Sequence, residues 1–278
     1  MTPSTATVTF RGPIGHVWAT LRATTRAQTT TSSAYLIDIV RAPVYPALLY
    51  ITYQVTYAAS GRGSVGGTAV SGFLLVGMVG IITWSSTIWS SGYAIEHERS
   101  AGTIGALFLS PASRAAVVLG YGLASLLWLA PSFAVIALIA FVTGTHLHVV
   151  DPTALAAAFI ALLVASLATG CAFAGLFILS RRANLLANFL QLPIYLLAGF
   201  VVPRARLPDP WHALSDIIPA GQAVDALRAS SLSGATLHDI LRPLSLALGT
   251  AALCALSGWI SLRRVEHVAK RSGALDLS

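Results

Sequence analysis

The chain has 278 residues, 55% of them hydrophobic and 10% charged, with a formal net charge of +7. Soluble domains run at roughly 45–50% apolar and about 25% charged, so this composition excludes an ordinary soluble enzyme or binding module and specifies a membrane protein. The positive excess comes from 16 Arg and a single Lys that sit singly or in pairs beside apolar runs and never form a stripe interleaved with aromatics, which argues against a nucleic-acid surface and for a topological role.

The first 34 residues are Thr-rich and lack the apolar core of a cleavable signal peptide, so the first span is expected to act as its own insertion signal. Within them Ile14, Val17, Trp18 and Leu21 follow an i, i+3, i+4, i+7 pattern. That predicts an amphipathic helix in the cytoplasmic interface with Trp18 at the headgroups; a disordered Thr-rich tail is the alternative.

About 20 mainly apolar residues are needed to cross some 30 Å of hydrocarbon. Six stretches qualify or nearly do: Ala42 to Ser60, Ala69 to Ser90, Ala115 to Thr143, Thr153 to Leu179, Asn184 to Val202, and Leu244 to Leu262. The expected fold class is therefore an all-α membrane protein of six transmembrane helices, forming one domain over residues 1–278. Twelve of the 17 Lys and Arg flank the side that holds both ends of the chain, so both termini are expected in the cytoplasm. Cys171 and Cys254 fall inside apolar runs and read as small packing residues.

Two connections are unusual. Between the second and third spans, Gly92 to Arg114 reads as an amphipathic helix with Ala101, Ile104, Leu107 and Phe108 on one face and Glu98, Arg99 and Gly102 on the other, lying flat on the cytoplasmic surface. Pro111 stops it, and Ser110 and Ser113 are candidate caps at the entry to the third span. Between the fifth and sixth spans, residues 203–239 hold prolines at 203, 208, 210 and 219 and two short helical pieces, Trp211 to Ile218 and Gly221 to Ala229. These predict an extracellular re-entrant pair, with Asp225 and Arg228 spaced to form an ion pair.

Two spans carry polar stripes: Tyr50, Tyr53, Gln54 and Tyr57 in the first, and Asn184, Asn188, Gln191 and Tyr195 in the fifth. Each set shares a helix face. They are candidates for a polar path through the membrane; hydrogen bonding between helices of one subunit is the alternative. No phosphate-binding G-x-x-x-x-G-K-[ST] motif occurs. The seven histidines lie outside the apolar runs, which leaves haem ligation within the bilayer without residues. His146 and His148 beside Asp151 lack a fourth metal ligand and read as a solvated turn. No catalytic residue and no metal site are expected.

The run Glu98-Arg99-Ser100-Ala101-Gly102-Thr103, with Leu107 and then Ser110-Pro111-Ala112-Ser113-Arg114, resembles the E-R-x-x-G-T … L … S-P-x-S-R signature of permease subunits of type-2 ABC exporters. Residues 203–228 are similar to that family's Pro- and Trp-containing stretch before its last helix. The resemblance implies a cytoplasmic coupling helix in which Glu96, Glu98 and Arg99 contact a separate ATP-binding subunit while Gly102 and Thr103 allow close backbone approach, ahead of Pro111. It further implies that the chain is no enzyme, that ATP and Mg are bound by partner chains, and that two such chains work with two permease copies, as a homodimer or with a related permease. The implied function is ATP-driven export of a hydrophobic or amphipathic compound such as a drug, antibiotic or lipid across a bacterial plasma membrane, with membrane lipids as further partners. A lipid-modifying membrane enzyme and a non-transporting regulatory subunit are the rival readings.

Overall fold

The computed structural model describes residues 13–33, 36–61, 64–65, 68–102, 113–145, 147–179 and 183–272. Within them the regular elements are helices apart from a short hairpin, Ser64–Val65 (β1) against Thr68–Ala69 (β2), antiparallel with Ser64 opposite Ala69. The helices are α1 (Pro13–Ser33), α2 (Leu36–Ala59), α3 (Val70–Thr87), a π-turn (Ile88–Gly92) and α4 (Ala94–Ser100). After the segment 103–112, which lies outside the described residues, come α5 (Arg114–Leu127), α6 (Ala130–Val142), α7 (Pro152–Leu179), α8 (Ala183–Leu197), α9 (Asp209–Asp216), α10 (Pro219–Leu232) and α11 (Leu237–Ser272).

Four helical stretches among the described residues combine the length and apolarity of a membrane span: Val70–Arg99, Arg114–Val142, Pro152–Ile178 and Leu237–Arg264. The stretch Arg114–Val142 is made of α5 and α6, with a turn at Trp128 and Leu129. Pro131 explains the turn, since it supplies no N–H and its ring crowds the carbonyl four residues back. The first stretch, α2, is a 24-residue helix made less apolar by Asp38, Arg41 and its tyrosines.

Helix α3 is apolar all round, and a helix of that kind belongs in an interior. It is the central post of the bundle: 78% of its span is buried, against 17% for α11. Trp84 sits fully enclosed with its ring edge-on to Phe173 and Tyr195, the centroids 6.1 and 5.7 Å away.

Among the described residues α7 and α11 pack against one another most extensively. Ala154, Ala158, Ala161, Ala165 and Ala168, alternately four and three residues apart, form a buried seam along α7. Small residues replace a hydrophobic driving force in lipid, because they let backbones approach and van der Waals contact accumulate. Here Asp151 binds the Leu237 N–H, Cys171 lies against Gly258 and Gly175 against Ser261. These three contacts share one sequence offset to within a residue, so α7 and α11 run parallel with their N-termini together. The chain must then cross back between the end of α7 and the start of α11.

That return crossing departs from expectation. A continuous helix over Asn184 to Val202 is predicted, but α8 stops at Leu197 and Gly199 takes φ 73°, the left-handed conformation that ends helices. At 1.5 Å per residue the 15 residues of α8 reach only about 22 Å, and non-helical backbone through residues 198–202 continues the path.

Candidate functional site

Charged and polar groups gather in two places, at the far end of α3 and around the non-helical stretch after α8. At the first, the π-turn absorbs Gly92 without breaking the column, so Val70–Arg99 is one continuous 30-residue helix. Glu96, Glu98 and Arg99 thus ride on an extension of the second span rather than on a separate flat helix. The single helix predicted within Gly92 to Arg114 is also interrupted: α4 ends at Ser100, the Gly102 N–H donates to the Arg99 carbonyl at 3.0 Å, and Gly102 has φ 70°. Left-handed φ is the conformation for which glycine pays no steric cost, so Gly102 is the stop signal of α4. Thr103, Ile104, Leu107, Phe108, Ser110 and Pro111 lie outside the described residues.

Arg99 Nη1 donates to Glu96 Oε2 at 2.9 Å. The Tyr121 hydroxyl of α5 donates to Glu98 Oε1 at 2.7 Å and is also hydrogen-bonded by the Gln28 side chain of α1. One phenol therefore ties the acidic end of the second span to the third span and to the N-terminal helix. Sequence reasoning missed Tyr121, which sits in an apolar run and carries no local signal of its distant partners. Around it the packing is tight. A Cβ on Gly122 would lie 2.2 Å from Ser91 Oγ and one on Gly120 2.7 Å from Thr24 Cβ. Ser113 caps α5 as expected, its Oγ accepting from the Ala116 N–H at 3.4 Å. The N-terminal helix is present as α1, with Val17 and Trp18 exposed.

The second cluster closes the break after α8. Non-helical backbone at membrane depth is tolerated only where protein groups satisfy it. Arg228 Nη1 donates to the Gly199 carbonyl at 2.7 Å, Nη2 to that of Phe200 at 2.9 Å and of Phe73 at 3.4 Å. The Tyr57 hydroxyl donates to the Val201 carbonyl at 2.8 Å, and the Arg228 guanidinium lies 3.8 Å from the centre of the Phe73 ring. Gly77 admits this arrangement, because a Cβ there would lie 1.9 Å from the Phe200 carbonyl oxygen.

Both short helices expected in residues 203–239 are found, displaced by a few residues from their predicted bounds as α9 and α10. The expected Asp225–Arg228 pair forms at 3.6 Å. Sequence reasoning missed that Arg204 dominates it. Only 7% exposed, Arg204 donates through Nη1 to Asp225 Oδ2 at 2.8 Å, through Nε to Ser215 Oγ at 2.5 Å, and through Nη2 to Asp216 Oδ1. Gln222 also donates to Asp216 at 3.0 Å. Arg204 follows Pro203 in a short 3-10 turn, so its partners 11 to 21 residues on leave no periodic trace.

The polar stripes converge on α3 from two sides. Tyr195 of α8 is buried, with its hydroxyl reached by Gln191 Nε2 at 2.5 Å and by Ser85, and with Tyr45 and Tyr53 of α2 in electrostatic range. Tyr50 is buried and accepts from Gln54 Nε2 at 2.8 Å. These hydroxyls and amides find partners within the chain. Asn184 and Asn188 are exposed, and Asn188 Nδ2 donates to Asn184 Oδ1 at 2.7 Å. His146 lies outside the described residues, while the Asp151 carboxylate accepts from the Thr153 N–H and hydroxyl and from the Leu237 N–H. Its pKa is held below the ordinary carboxylate value by the Thr153 hydroxyl first and the Leu237 N–H second. Among the described residues no group of three or more His, Cys, Asp or Glu is placed to hold a metal ion.

A model of the family described as ABC-2 type transporter matches residues 16–232, from within α1 to the end of α10. No curated protein matches the chain. The matched region is a membrane permease domain without an ATPase, and permeases of this kind pair with ATP-binding subunits. Since the match takes in most of the sequence and the helical architecture is that of a multi-pass membrane protein, the chain belongs to the ABC-2 type transporter family.

Proposed function

We propose that the chain is the permease of an ATP-driven exporter that moves a hydrophobic or amphipathic compound out of a bacterial cell. On this reading it works as two permease copies with two ATP-binding chains, which bind ATP and Mg. Six crossings, with α2 as the first and α8 plus residues 198–202 as the fifth, leave both termini in the cytoplasm and the pair α9–α10 in the outer leaflet. Glu96, Glu98, Arg99, Gly102 and the segment holding Thr103 and Pro111 meet the ATPase. The exposed apolar faces of α2 and α8, with Leu48, Ile51 and Val55 on one and Leu185, Phe189 and Leu192 on the other, face the second copy. Asn184 and Asn188, with the half-buried Tyr53 and Gln54 of α2, line the cargo route there.

One observation carries the reading: the column Val70–Arg99 runs unbroken from the buried centre of the bundle to an acidic end, and Tyr121 locks that end to the third span. A load on Glu98 reaches two crossings and α1 directly. The test is a liposome-reconstituted complex with its copurifying ATPase. Glu98→Gln and Tyr121→Phe are expected to leave assembly intact and to lower transport-coupled ATP hydrolysis about tenfold, the loss of roughly 1.4 kcal/mol of coupling. Ser257→Ala, on the exposed face of α11, is expected to change nothing. Unaltered coupled hydrolysis in both variants, or purification without any ATPase, defeats the proposal.

A further inference from the structure

Away from the faces assigned to cargo, α3, α6, α7 and α10 enclose a groove of about 450 Å³. Val79, Phe133 and Phe159 line its deep end, and Leu147, Pro152 and Ser231 its other end. Ser231 is the one polar residue of the lining; its hydroxyl donates to the Leu227 carbonyl at 2.6 Å and its carbonyl accepts from the His148 N–H at 2.8 Å. The volume is that of roughly fifteen waters, yet water in a buried site needs two to four polar partners. The lining offers only Ser231, whose hydroxyl and carbonyl are already engaged, so the groove is dry. Left empty, its walls would forgo their dispersion contacts.

Three of its four walls belong to candidate membrane spans, so the open side looks into hydrocarbon. Its length supports one kind of filler. From Pro152 to Phe159 along α7 is about 10 Å at 1.5 Å per residue, which fits inside one leaflet of a bilayer whose hydrocarbon is about 30 Å thick. The Leu147 end abuts the polar connection 143–151, where Thr143 and Thr145 share a hydrogen bond and Asp151 caps α7, as befits a chain entering from the headgroup level. Ala137 on α6 and Ala156 on α7 are exposed members of the lining, and their small size leaves the slot open.

We infer that this groove is a binding site for one acyl chain of a bilayer phospholipid, held by fit along the leaflet on the 143–151 side. The inference rests on the chain's being a membrane protein and not on the nature of its cargo. Since lipid tails elsewhere are equally apolar, shape rather than hydrophobicity selects the occupant.

The test uses the full chain in phosphatidylcholine vesicles doped with a phosphatidylcholine that carries a photoreactive diazirine near the end of one acyl chain. Peptide mapping is expected to find adducts concentrated on the groove walls of α6 and α7 over the exposed face of α11 around Leu253 and Leu256. Ala137→Phe and Ala156→Phe, which fill the slot from α6 and from α7, are each expected to abolish groove labelling while α11 labelling and gel-filtration behaviour stay as in the parent. Labelling spread evenly over all lipid-facing helices, or unchanged in both variants, overturns the inference. So does groove labelling by a photoreactive free fatty acid but not by the phospholipid.

Discussion

Arg228 does a job that no other side chain could do in its place. Its guanidinium fork satisfies the carbonyls of Gly199 and Phe200 from one planar group, whereas lysine offers a single ammonium on a flexible stem. Arg228→Lys is therefore expected to leave one buried carbonyl without a partner, at a cost of about 1–3 kcal/mol, read as a lowered Tm of the detergent-purified protein. Arg206→Lys, at an exposed neighbour in the same segment, is expected to be neutral. Asp151 gives a pH dependence of definite sign. Its folded pKa is depressed below 3.8, so its contribution is fully present above that value and is lost as the pH falls through the lower, folded one. Acid unfolding below pH 3.8 is expected to lose one proton-linked component in Asp151→Asn, as followed by Tm against pH. Sequence spacing exposed the Asp225–Arg228 pair because both partners stand on one helix. It missed Arg204 and Tyr121, whose partners come from elements brought together only by packing.

At the scale of elements, the return crossing is held where α3 meets residues 198–202. Gly77→Ala places a methyl against the Phe200 carbonyl, and backbone cannot yield as a side chain can. Overpacking of this kind costs about 1–3 kcal/mol or more, and the expected outcome is loss of monodisperse protein on gel filtration. Gly249→Ala on α11 meets nothing within 4 Å and is expected to be tolerated or slightly stabilising, since alanine is the better helix former by roughly 0.5–1 kcal/mol. Long apolar runs made α3, α5–α6, α7 and α11 legible in the sequence, and four prolines marked the short helices α9 and α10. Hydropathy could not show that the fifth run ceases to be helical at Leu197, because Ala198 to Val202 are as apolar as the helix before them. Nor could it show that the second run continues to Arg99, since Glu96 and Glu98 read as part of a separate surface helix until the π-turn carries the column past Gly92.

Across the whole molecule, the parallel pairing of α7 and α11 requires their N-termini to share one face of the bilayer, opposite the acidic end of α4. The proposed orientation puts the Asp151 face outside. In a chain carrying Cys171→Ala and Cys254→Ala, a membrane-impermeant maleimide is expected to label Thr236→Cys in intact cells and Ala101→Cys only after lysis. Both positions are exposed. The opposite pattern would place the acidic end outside the cell and end the exporter reading. The polar stripes were legible as faces, but most of their hydrogen bonds turn out to be spent inward. That is an outcome of neighbour placement, which one-dimensional periodicity does not contain.

The post formed by Val70–Arg99 is gripped high in the bundle, where Gly77 and Gly80 admit Phe200 and Val224, and its acidic tip stands about twenty residues beyond that fulcrum. Thirty residues make a rod of about 45 Å. A swing of roughly ten degrees about the grip would sweep the tip through about 5–6 Å, one turn of helix, while the pinned end scarcely shifts.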